Sequence, residues 1–190
     1  MQHEVAHQAD DKGSQHKTPH RQHAGGRQRG FEVGDQGLDA EVSYSFDATV
    51  HYDGGPWDAD LHAFGVKYDG FIDLRATGLE DPDSELPIFA YRQTDATFYG
   101  AEVEVAYALW RDGERSFSLE GSADYVRGDT DLGAPARIPP WSVTGRAVFD
   151  GGWWTGKLEL RQVGEQDRVA EFELPTEGYR TLNASLVFRP

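Results

Sequence analysis

The chain has 190 residues, 38% of them apolar, a formal net charge of −15 and a mean hydropathy of −0.64. That length suffices for one ordinary domain, and so acidic a surface excludes nucleic acid, whose binders neutralise phosphates with Lys and Arg. Cysteine is absent, which removes structural disulfides, Cys-based zinc sites and thiol catalysis together.

Residues 1–30, "MQHEVAHQADDKGSQHKTPHRQHAGGRQRG", differ in kind from residues 31–190. They hold five Lys/Arg against three Asp/Glu, a net +2, which leaves −17 for the longer part. With almost nothing apolar they cannot bury enough surface to offset chain entropy, so a disordered head is expected. Met1 is followed by polar residues, without the apolar core of a signal peptide. The head carries His3, His7, His16, His20 and His23. Imidazole suits zinc and similar divalent ions, which makes these five the candidate metal ligands. Their spacing matches no structural-zinc pattern.

From Phe31 onward the texture is strand and turn. Residues 41–51, "EVSYSFDATVH", place Val42, Tyr44, Phe46, Ala48 and Val50 on one face, as strand alternation requires. "YDGGP" turns the chain into a second strand at 57–74. The acidic stretch "ATGLEDPDSELP" then leads to a third at 88–110, where Ala101, Val103, Val105, Tyr107 and Leu109 alternate with Glu102, Glu104, Ala106 and Ala108. "RDGE" opens a fourth at 115–127. "GDTDLGAPARIPP" precedes a fifth at 141–149, "DGG" gives a sixth at 153–164, and "GEQDRVAEFELPTEG" leads to a seventh at 181–189. No run of 18 apolar residues exists to form a membrane helix.

The connections alternate strictly: tight turns at 52–56, 111–114 and 150–152, and long loops between them. Asp-Gly and Gly-Gly supply the positive φ of short hairpins. Short turns at one end and long loops at the other are the habit of outer-membrane barrels, and the strands approach the roughly 9–11 residues of a tilted membrane strand. Tyr52, Trp57, Trp110, Phe149, Trp153 and Trp154 gather near the tight turns, where an interfacial girdle sits. The expectation is an all-β, antiparallel up-and-down meander of about seven strands, every pairing sequential, forming part of a transmembrane β-barrel wall. Val42, Phe46, Val103, Leu119, Val143, Leu158, Leu182 and Leu186 are expected on its convex, lipid-facing side. Glu102, Glu104, Glu120, Asp124, Arg146, Lys157 and Arg161 are expected on the concave side.

Gly34, Asp35, Leu38 and Glu41 form a Gly-Asn/Asp-x-x-Leu-x-x-Glu motif at the opening of a strand, and Tyr68, Phe71 and Ile72 form the aromatic end of the next. Gly100 and Glu102 give a Gly-x-Glu in the following strand, and residues 137–152 and 179–189 continue in order. Together these stretches, over 31–190, resemble the late barrel segment of TonB-dependent outer-membrane receptors. The resemblance implies a fragment of such a receptor in the outer membrane, without plug or TonB box. It implies energised uptake of a metal complex (iron–siderophore or zinc type) or another small ligand, with outer-membrane lipid and, through the missing plug and TonB box, the TonB complex as partners, no cofactor and no catalytic residue.

The residues leave two other readings open. A soluble all-β ligand-binding module would bury the same apolar faces in a sandwich. A barrel hydrolase would use paired carboxylates: Asp58 and Asp60 share a face with His62, and Glu102 and Glu104 form a second pair. No Gly-x-Ser-x-Gly elbow surrounds any serine, and on a barrel strand such pairs mark the polar interior.

Overall fold

The computed structural model describes residues 17–19 and 30–189. Nine strands form among them: β1 (Lys17–Pro19), β2 (Phe31–Val33), β3 (Val42–Gly54), β4 (Trp57–Glu80), β5 (Pro87–Asp112), β6 (Arg115–Thr130), β7 (Ser142–Asp150), β8 (Trp154–Val163) and β9 (Tyr179–Phe188). β3 to β9 pair in chain order as an antiparallel meander. Among the described residues β3 pairs only with β4 and β9 only with β8, so the sheet is unclosed. The seven strands read from alternation are β3–β9.

The tight turns fall where Gly-rich pairs were read, at 55–56, 113–114 and 151–153. Gly55, Gly113 and Gly152 adopt φ of 60°, 58° and 88° there, a region costly for residues with a Cβ. In a meander these three turns lie at one end and the loops 131–141 and 164–178 at the other.

Two compact units make up the chain: Met1–Gly37 with Leu74–Tyr91, and Leu38–Asp73 with Arg92–Pro190. In the first, β4 continues to Glu80 and β5 begins at Pro87, so the loop expected at 76–87 contracts to six residues. Asp81 ties it: its Oδ1 accepts from the N–H groups of Asp83 and Ser84 (both 3.2 Å), and its own N–H donates to Leu86 O (2.8 Å). The composition of that stretch reads as loop throughout, but a tight Asx turn draws on the same residues.

Also in this unit, β2 lies parallel to β5, with Phe31 opposite Ile88 and Val33 opposite Ala90, and β1 is antiparallel to β2. The expectation that every pairing is sequential is corrected here. A three-residue strand carries too little alternation to be read, and its partner is 57 residues away (Phe31 to Ile88). Tyr91 Oη donates to Glu32 Oε2 (2.8 Å), and a Cβ on Gly30 would stand 2.5 Å from the buried Phe89 ring. Of the head, Lys17–Pro19 are paired in β1 and Gly30 leads into β2; its other residues lie outside the described ones.

Burial in the second unit is inverted relative to a water-soluble domain. Ser142, Thr144 and Thr155 are buried, and among the described residues the buried apolar side chains there are few and mostly small: Ala96, Pro135, Val163 and Ala170. All eight apolar residues expected on one face are exposed, Phe46 and Leu182 by 71% and 68%.

Candidate functional site

Cross-strand partners share a face, so the registers sort every side chain of the second unit. On the polar face one row runs Glu120–Arg146–Glu159–Asn183 from β6 to β9. Arg146 Nε donates to Glu159 Oε2 (2.7 Å) and Asn183 Nδ2 to Glu159 Oε1 (3.1 Å), while Glu120 Oε2 stands 3.9 Å from Arg146. The neighbouring rows hold Ser142, whose Oγ donates to Asp124 Oδ1 (2.5 Å) and accepts from Arg161 Nη2 (3.3 Å). Glu102 and Glu104 lie opposite Asp124 and Ser122. All seven charged residues expected on one face are found together on it.

The β3–β4 hairpin contributes Asp47, His51, Asp53, Asp58, Asp60 and His62 to its own polar face. His51 Nδ1 and Asp60 Oδ1 are 2.8 Å apart, and His62 Nε2 lies 3.5 Å from Asp47 Oδ1. Asp58, Asp60 and His62 do share a face, as read. His51 was missed, and so was the crossing of both His–Asp pairs between strands. The signal was available: the turn pairs Gly54 with Trp57, and counting back from it puts His51 opposite Asp60. Each imidazole is engaged by a carboxylate on the opposite strand, and among the described residues no serine is bonded to either pair.

At the opposite end of the strands the β6–β7 and β8–β9 loops are stapled together. Arg168 donates from Nη1 to Gly128 O and from Nη2 to Asp129 Oδ1, and Gln166 Nε2 donates to Ile138 O. Arg137 N–H donates to Glu173 Oε1 (2.8 Å). The loop 164–178 also closes on itself, through paired Gln166–Thr176 backbone bonds of 2.8 and 3.0 Å. Both stretches read as plain loops in the sequence, because none of these contacts leaves a local periodic trace.

His3, His7, His16, His20 and His23 lie outside the described residues. Among the described residues no group of three or more His, Asp or Glu is arranged to hold a metal ion.

The apolar face bears no charge along its middle. Ala59, Leu61, Ala63 and Gly65 of β4, Leu119, Gly121 and Ala123 of β6, and Leu182, Ala184 and Leu186 of β9 all lie on it. At the tight-turn end its aromatics pack: Phe149 lies 6.4 Å from Trp110 and 5.1 Å from Trp154 between ring centroids, and Trp57 lies 4.4 Å from Tyr107. An apolar band bounded by aromatics, backed by a polar face, is the wall of a transmembrane β-barrel. The family model for TonB dependent receptor-like, beta-barrel matches residues 10–190, and the chain belongs to that family, whose members are outer-membrane transporters and not enzymes. Among solved structures it is similar to the copper transporter OprC, at 20% identity and a TM-score of 0.71, over 83% of this chain and 25% of that one. It is also similar to the FrpB iron transporter from Neisseria meningitidis (F3-3 variant), at 13% identity and a TM-score of 0.57, over 85% of this chain and 26% of that one. These likenesses establish the fold. The chain spans about a quarter of the length of either structure.

Proposed function

We propose that this chain builds part of the wall of a receptor that takes up a metal complex, of iron–siderophore or zinc type, or another small ligand, with energy from the TonB complex delivered through the family's plug and TonB box. The observation that carries the reading is the inverted burial: the apolar face is open along every strand from β3 to β9, while hydroxyls and ion pairs are packed on the other. Lipid covers the first face, and the second lines the passage. The stapled loops stand at its outer mouth. The transport of copper by one structural relative and of iron by another supports a metal cargo. In this reading the histidines of the head, His3, His7, His16, His20 and His23, capture divalent metal before uptake.

Uptake assays on cells carrying or lacking the full-length receptor test the reading, with radiolabelled zinc, copper and ferric complexes as probes. Accumulation of one of them should require both the receptor and an intact TonB complex. Uptake of all probes unaffected by deleting either would overturn the metal-complex reading of the cargo, and recovery of the receptor in the soluble fraction, the outcome expected of a sandwich-type binding module, would overturn the proposal as a whole. Replacing the five head histidines by Gln should weaken zinc binding by the purified receptor; unchanged binding would remove the head from the proposal.

A further inference from the structure

Two stretches that read as separate signatures in the sequence, 34–41 and 68–72, meet in the structure beside β5. Glu41, the last residue of the first, accepts through Oε1 from the N–H of Ile72 in the second (2.7 Å). Asp39 is held by Gln93 of β5: its N–H donates to Gln93 Oε1 and its carbonyl accepts from Gln93 Nε2, both at 2.8 Å. A side-chain amide carries the donor and acceptor of a peptide group, so Gln93 adds one rung to the sheet. β4 pairs with β3 on one side and β5 on the other, and Gln93 crosses it to reach Asp39. The crossing is at Gly70, whose carbonyl accepts from the same Nε2 at 3.0 Å. A Cβ on Gly70 would stand 3.0 Å from that nitrogen.

Gly70 also breaks the alternation of β4. Its φ is +72°, the left-handed conformation of a glycine bulge, and its N–H lies 3.4 Å from Asp95 Oδ1. Tyr68 and Phe71 are three residues apart, which strict alternation places on opposite faces. Their ring centroids are nevertheless 5.3 Å apart, and both rings pack on Phe98, at 5.7 and 5.3 Å. Phe98 shares the polar face with Glu102.

An irregularity of this kind has to be held in place. Alternation repeats every two residues, so it does not distinguish one register from another shifted by two, and a shift of one turns every side chain over. Short turns at 55–56 and 113–114 settle the register of β3–β4 and β5–β6. β4 and β5 join only at 81–86, further along the chain than the positive φ of both Gly70 and Gly78 (74°). A closed barrel accepts only matched strand stagger and tilt. Gly70 lies thirteen residues along β4 from Trp57, roughly 30–35 Å at about 3.3 Å per residue and a tilt of about 40°. That exceeds the apolar height of about 25 Å, so these bonds form just outside the lipid.

We propose that Glu41, Gln93 and Gly70 form a latch that sets the register of β4 against both of its neighbours, so that this part of the wall enters the barrel in one way only. Glu41 fixes the run into β3, Gln93 ties that run to β5, and Gly70 gives the room and the backbone turn for the crossing. The latch acts on assembly of the wall and is independent of the cargo.

The test uses the full-length receptor in outer membranes, its folded fraction read as the form that resists detergent until heated. E41A/Q93A should lower that fraction at least threefold. Q93E, of the same shape but without the N–H donors, should lower it as much as Q93A, while E41Q, whose amide oxygen still accepts from Ile72, should match the wild type. Residues 1–190 hold no cysteine, so pairs introduced there report register directly. Trp57 and Tyr107, whose rings lie 4.4 Å apart, supply the native pair. W57C/Y107C should cross-link with the latch intact and lose at least half of that yield when E41A/Q93A is added, with W57C/V105C or W57C/L109C gaining it. Unchanged folded fractions in E41A/Q93A and Q93E, or a native cross-link indifferent to the latch, would overturn the proposal and leave the transport reading intact. A latch variant that folds fully but loses uptake would make these residues cargo contacts and overturn it too. Wild type recovered in the soluble fraction would instead overturn the barrel reading beneath both.

Discussion

The two faces of the strands are built from the same backbone and answer to different solvents. On β9, Leu182, Ala184 and Leu186 face one way and Thr181, Asn183 and Ser185 the other, and every one is exposed among the described residues. Exposure alone does not separate them; partners do. Asn183 bonds to Glu159, which bonds to Arg146. On the apolar side ring contacts lie among Trp110, Phe149 and Trp154 near the tight turns and between Tyr99 and Tyr125 toward the long loops. A water-soluble sheet hides its apolar side and leaves its polar side loose. This one knits its polar side and leaves the apolar side bare, because lipid supplies the missing packing and cannot supply hydrogen bonds.

The largest effect comes from removing lipid. Residues 31–190 produced alone in plain buffer should form inclusion bodies, since soluble monomers rarely expose contiguous apolar patches beyond a few hundred Å² and, among the described residues, β3 and β9 each pair on one side only, which leaves open edges. A monodisperse monomer that unfolds cooperatively in sedimentation and denaturation experiments would break the comparison outright. Within the full-length receptor, Ala184→Arg should cost about 2–4 kcal/mol of folding free energy in vesicles, the range for a cation at the midplane of the lipid-facing side. Ser185→Arg, one residue along, should stay within about 0.5 kcal/mol. Equal costs in urea titrations would mean that both faces meet the same solvent.

Glycines sharpen the contrast on a smaller scale. A Cβ on Gly100 would meet Tyr125 O at 2.5 Å and the Phe64 ring at 2.7 Å, whereas one on Gly65 meets nothing within 4 Å. Gly100→Ala should therefore destabilise by about 1–3 kcal/mol through overpacking, and Gly65→Ala by less than about 0.5 kcal/mol. Ser142→Ala, which leaves Asp124 and Arg161 without the hydroxyl between them, should cost about 1–2 kcal/mol. The smallest effect concerns the loops. Arg168→Ala should speed hydrogen exchange and protease cleavage within 164–178 severalfold and leave the thermal midpoint unchanged; a lowered midpoint would show that the staple holds the strands as well.

Much of this is legible in the residues alone. Strand alternation has a period of two, so Leu182, Ala184 and Leu186 declare a shared face whatever surrounds them. Asp-Gly and Gly-Gly pairs declare tight hairpins because few other residues accept their φ. Counting back from one such turn would have paired His51 with Asp60, and that step was available and missed. The carboxylate pair with His62 was visible as a shared face, but its engagement with Asp47 was not.

The sequence by itself determined β3 to β9, the assignment of their side chains to two faces, and the end at which the turns are short, because each of these depends on residues within a dozen positions of one another. Tertiary structure alone decided the rest. β2 chose a parallel partner 57 residues along the chain, β4 ran on to Glu80 through a stretch of loop-like composition, and Arg168 of the β8–β9 loop reached Gly128 and Asp129 near the end of β6. Such contacts are selected by which backbone groups and charges remain unpaired once the strands have formed, and no local pattern encodes that remainder.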